Sequence, residues 1–69
     1  MSFEKKVLEL AESIGIEDSY FAYGTMFVSL DGASRDQLAK FVKFYRSEFF
    51  GRPVVTLGAE EIAIDFVLN

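Results

Sequence analysis

The chain contains no cysteine and no histidine in its 69 residues. Each absence removes a class of chemistry. Without thiols there is no disulfide framework, no thiolate nucleophile and no cysteine-ligated zinc or iron–sulfur centre. Without imidazole there is no histidine general base and no common nitrogen ligand for a transition metal. No apolar run approaches the roughly 18 residues that would predict a membrane span, so no membrane partner is expected. The opening Met1-Ser2-Phe3-Glu4-Lys5-Lys6 leads into alternating charged and apolar residues rather than the apolar stretch of a secretory signal. A cytoplasmic location is therefore expected.

What is present is apolar and aromatic. Hydrophobic residues make up 51% of the chain, and eight Phe with three Tyr give 16% aromatics, a composition that excludes disorder. Residues 1–69 are expected to form a single domain. A chain of this size buries only about 60% of its unfolded surface, and its hydrophobic gain and conformational-entropy loss, each about 100 kcal/mol, nearly cancel. Burial in an oligomer would tip that balance.

The net charge of −4 disfavours nucleic acid as a partner, but the charge is unevenly spread. Residues 1–31 hold two Lys against six acids, residues 32–53 five basic groups against two acids, and residues 54–69 three acids alone. The middle block is thus +3 between flanks of −4 and −3. Such asymmetry can steer a charged partner or a second copy of the chain.

Periodicity places the elements. Phe3, Val7, Leu10, Ala11 and Ile14 fall on one arc of a helix over residues 3–14, with Ser2 suited to the N-cap, Gly15 to the position after the C-cap, and Ile16 to the contact that follows. Tyr20 to Leu30 is rich in aromatic and β-branched residues and predicts a strand with Gly24, Met26, Val28 and Leu30 on its core face. Gly24 interrupts it as a bulge, a close backbone approach or a hairpin turn. Ser34-Arg35-Asp36-Gln37 has the spacing of a capping box and opens a second helix, expected over about residues 35–50 with Leu38, Phe41, Val42, Tyr45 and Phe49 inward. After Gly51-Arg52-Pro53, two strands follow, Pro53–Leu57 and Glu61–Leu68. In the second, Ile62, Ile64, Phe66 and Leu68 alternate with Glu61, Ala63, Asp65 and Val67.

The order α-β-α-β-β predicts an α+β two-layer sandwich, with two helices on one face of a small three-stranded mixed sheet. The opposite sheet face is then uncovered. Tyr23, Thr25, Phe27, Ala63 and Val67 are expected on it, apolar enough to predict self-association as a homodimer, with pairing of the last strand to its symmetry mate as a second route. A second candidate lies on the outward sector of the second helix, where Lys40, Lys43, Phe44, Arg46, Ser47 and Phe50 combine two aromatic rings with three basic groups. A protein partner is the first expectation there. An alternative is a single-stranded nucleic acid held by Lys40, Lys43, Arg46, Arg52 and Phe44. A third possibility is an acidic inhibitor of a DNA-binding enzyme that uses Glu9, Glu12, Glu17, Asp18, Glu60 and Glu61.

Signals for catalysis are sparse. Glu17-Asp18 and Glu60-Glu61 are adjacent carboxylates in loops, and the serines lack an activating His or Lys. The glycines are isolated, so no phosphate-binding loop is present. Glu17, Asp18 and Asp31 would hold a cation only if the ends of the first strand met, and no metal or cofactor is expected. The sequence therefore predicts a non-enzymatic interaction or accessory protein.

Overall fold

The computed structural model describes residues 2–67. Helix α1 spans Phe3–Ser13, and its ends form as their residue types dictate. The Ser2 hydroxyl accepts a hydrogen bond from the Lys5 N–H at 3.1 Å. At the other end Gly15 adopts φ 85°, and the N–H groups of Gly15 and Ile16 donate to the carbonyls of Glu12 and Ala11, both at 3.0 Å. These two bonds are the Schellman pattern, and the Ile16 side chain that follows them is buried.

Strands β1 (Ser19–Ala22) and β2 (Thr25–Ser29) replace the single expected strand. Ala22 pairs with Thr25, leaving Tyr23-Gly24 as a two-residue loop with φ of 54° and 78°. Positive φ at both positions is the signature of a type I′ hairpin turn, so of the three readings of Gly24 the turn is correct. The expectation of one continuous strand failed because a large aromatic at position 23 looks like a strand former, where such turns usually carry Asn or Asp.

Helix α2 runs Arg35–Glu48 behind a complete capping box: Gln37 N–H donates to the Ser34 hydroxyl at 3.1 Å and Ser34 N–H to the Gln37 side-chain carbonyl at 2.7 Å. It ends two residues earlier than expected, because Phe49 is already extended at φ −126°. Strands β3 (Arg52–Leu57) and β4 (Glu61–Val67) complete the chain; Leu68 lies outside the described residues.

The sheet has four strands in the order β1-β2-β4-β3, and every neighbouring pair is antiparallel. The α+β class with both helices on one face holds, while the three-stranded mixed sheet is corrected. Strand β2 does run parallel to β3, as a strand-helix-strand connection favours, but β4 inserts between them and removes any parallel ladder. Since β4 is paired on both sides, it cannot zip edge to edge with a second copy; the free edges are β1 and β3.

The core lies between the layers. Val7 and Ala11 of α1, Phe41 and Tyr45 of α2, Met26 and Val28 of β2, and Ile62 and Ile64 of β4 are buried there with Ile16. Leu10, Ile14, Leu38, Phe49 and Phe66 pack against them as their spacing predicts. No polar side chain is buried among the described residues.

Candidate functional site

Register fixes what the helix-free face of the sheet displays. Residues that pair with one another point the same way, so Tyr20, Phe27, Ala63 and Thr56 form one row across all four strands. Thr25, Asp65 and Val54 lie in the row beside it, and Val67 and Arg52 pair further along β4. Tyr20 stacks on Phe27 with ring centroids 5.5 Å apart. The two carboxylates here are held by neighbouring hydroxyls: Tyr20 OH donates to Glu61 at 3.1 Å and Thr25 OH to Asp65 at 2.7 Å. Loss of solvation, the hydrogen bond to Glu61 and that carboxylate's charge together hold the Tyr20 phenol above the ordinary tyrosine value.

Of the five side chains expected on this face, the structure brings Thr25, Phe27, Ala63 and Val67 together. Tyr23 is the exception. It sits at the tip of the hairpin turn, fully exposed and off the sheet, because the strand ends at Ala22. Tyr20 was missed because β1 was not separated from β2, and Val54 because no outward face was assigned to β3. The alternation of Val54 with Val55 was available in the sequence as a hint.

On α2, Lys40, Lys43, Arg46 and Ser47 are all exposed, and Phe44 is partly so at 40%. Phe50 is not on the helix, which has already ended; it stands in the link to β3 and is 92% exposed. Arg46, Ser47 and Phe50 border one shallow depression of about 300 Å³ at the helix end. The residues Lys40, Lys43 and Phe44 lie further up the helix, so the six expected residues do not line one pocket.

A larger cleft of about 500 Å³ adjoins that depression, and the sequence reading did not place it. Its walls come from four parts of the chain: Phe3 of α1, Tyr45, Glu48 and Phe49 at the end of α2, Phe50 of the link, and Phe66 of β4, with Gly24 of the hairpin turn at its margin. The rings of Phe3, Tyr45, Phe49 and Phe66 pack together. Phe3 stands nearly perpendicular to Tyr45, Phe49 and Phe66 at 88°, 86° and 85°, while Tyr45 and Phe49 stack at 4.8 Å. Burial pushes the Tyr45 phenol up from its ordinary value, and its hydroxyl donates to the Phe50 carbonyl over a long 3.4 Å. Periodicity had assigned Phe3, Tyr45, Phe49 and Phe66 to the core; spacing alone does not separate a ring inside the core from one at its open end.

The β1–β2 hairpin does bring both ends of the expected first strand together, since Glu17 N–H donates to the Gly32 carbonyl at 2.8 Å. Even so, among the described residues no three potential metal-ligating side chains gather. No helix among them is long and apolar enough to cross a membrane. No protein-family model, curated protein or solved structure matches this chain.

Proposed function

We propose that the protein is a small non-enzymatic interaction protein that acts through protein–protein contact and self-associates across the uncovered face of its sheet. The observation that carries this reading is the row Tyr20, Phe27 and Ala63, flanked by Val54 and Val67, on a sheet face over which the described chain places nothing. The two acids that would have kept this face wet are drawn into hydrogen bonds with Tyr20 and Thr25, which lowers the cost of desolvating them.

Four strands about 4.8 Å apart, the longest seven residues at about 3.3 Å each, outline a sheet face of roughly 19 by 23 Å, so two such faces cover about 900 Å², the size of a weak, concentration-dependent contact. A two-fold dimer also needs only one self-complementary patch. Arg52 at one end of the face and Asp65 within it give such a pair of faces opposite charges to match. The exposed basic sector of α2 stays free in that arrangement, because it lies on the helix layer, and remains the surface for a protein partner.

Sedimentation equilibrium between 10 and 200 µM is the test. A mass near twice the 7.8 kDa of the chain, returned to that of a monomer by Val54→Lys or Phe27→Lys, is the expected result. A wild-type chain that stays monomeric across that range would refute the reading. Val54 is 40% exposed, so its variant keeps the test valid if Phe27→Lys fails to fold.

A further inference from the structure

The cleft at the end of α2 has a lining whose chemistry selects among ligands. Five of its side chains are aromatic, and Glu48 is the one charged residue among them. Aromatic rings present negative faces, and a cation over such a face is attracted more strongly as water is excluded. The lining comes from α1, the end of α2, the link to β3 and β4, and Phe3 and Phe50 are its most exposed rings, at 44% and 92%. The Glu48 carboxylate in this lining adds a counter-charge. An anion is repelled by every one of these features, and a neutral apolar ligand gains nothing from Glu48.

Among cations, hydration decides. A bare primary ammonium is compact and strongly hydrated, and would have to shed that water against apolar walls. A methylated ammonium carries its charge under methyl groups, which are suited to aromatic contact, and a cleft of about 500 Å³ has room for it. We propose that this cleft binds a methylated ammonium group, with Glu48 as its counter-charge and Phe3, Tyr45, Phe49, Phe50 and Phe66 as its walls. The site is on the opposite side of the sheet from the dimer face and does not depend on the oligomeric state.

Choline-type headgroups and methylated lysine side chains share this chemistry. The experiment is an amide-resolved NMR titration of the full chain with choline, with its neutral isostere dimethylbutanol, and in separate arms with trimethyllysine amide and phosphocholine to distinguish the two sources. Saturable shifts at Gly24, Glu48 and Phe50 are expected with choline, and binding of the neutral isostere should be at least roughly fivefold weaker. Glu48→Gln and Phe50→Ala should each weaken choline binding severalfold; both positions are exposed, and Phe50 is 92% so, which leaves the fold intact. Equal binding of the isostere, an unchanged affinity in Glu48→Gln, or no saturable shift with any of the methylated cations would overturn the proposal.

Discussion

Tyr23 is the residue that fits its backbone least. An L-residue at φ 54° loses on the order of 1 kcal/mol to contact between its Cβ and the following carbonyl, and two-residue turns of this type favour Asn-Gly for that reason. Because Tyr23 is fully exposed and packs on nothing, Tyr23→Asn should stabilise the chain by about 0.5–1 kcal/mol in urea denaturation. A loss of stability would mean that the phenol is held by a contact. Gly32 is constrained by space instead: a Cβ there would lie 2.2 Å from the Glu17 carbonyl oxygen, in the turn that ties β1 to the end of β2. Tyr45 supplies a pH dependence. Its folded pKa is raised above the ordinary 10.0 by burial, so the folded state holds the proton more tightly than the unfolded chain. The associated stability is complete below about pH 10 and is lost as pH rises through the raised value. Denaturation midpoints measured from pH 8 to 11 should therefore fall, and Tyr45→Phe should flatten the decline.

At the scale of elements, one side chain joins the two helices. While the Gln37 carbonyl closes the capping box of α2, its amide donates to the Ile14 and Gly15 carbonyls at 3.3 and 3.1 Å, at the C-terminal end of α1. No basic residue occupies the last turn of α1, so this amide takes the place of the cation often found there. In an isolated capping box, Gln→Glu is neutral or better, because a carboxylate suits a helix N-terminus. Here the same change would set a negative charge against two carbonyl oxygens. Gln37→Glu should accordingly destabilise by about 1 kcal/mol at pH 7, read from the denaturation midpoint, whereas a gain would show that the link between helices contributes nothing. The caps themselves were legible in the sequence, since each involves residues within five positions of one another. The link was not, since it spans more than twenty positions.

The whole molecule repeats itself. The units α1-β1-β2 and α2-β3-β4 have the same order, each helix lies over the edge strand of its own unit, and β2 pairs antiparallel with β4 at the centre of the sheet. An approximate two-fold axis thus passes between β2 and β4, although no repeat is visible in the sequence. Five residues, 30–34, connect the first unit to the second. If the axis relates the units, a similar length should connect β4 back to α1, and joining residue 69 to residue 1 through one glycine supplies it. A circular permutant built this way, with new termini between Ala59 and Glu60 in an exposed turn, should unfold cooperatively with stability within about 2 kcal/mol of the parent by denaturant titration. An unfolded permutant would show that the second unit cannot be followed by the first.

Local rules in the sequence determined both helices, their caps, the alternation of β4 and the α+β class, because i, i+4 contacts and capping bonds close within a few residues. They also determined which faces of β2 and β4 turn to the core. Only the tertiary structure decided that Tyr23-Gly24 folds the first strand back on itself, that β4 rather than β3 lies beside β2, and that rings from α1, α2 and β4 meet around a cleft. Strand partners are chosen by long-range pairing and by the burial each arrangement achieves, and no period of two or 3.6 residues records that choice. The excess of aromatic residues in so short a chain therefore pointed to exposed apolar surface, but its division between the sheet face and the cleft beside Phe50 came from how distant segments pack.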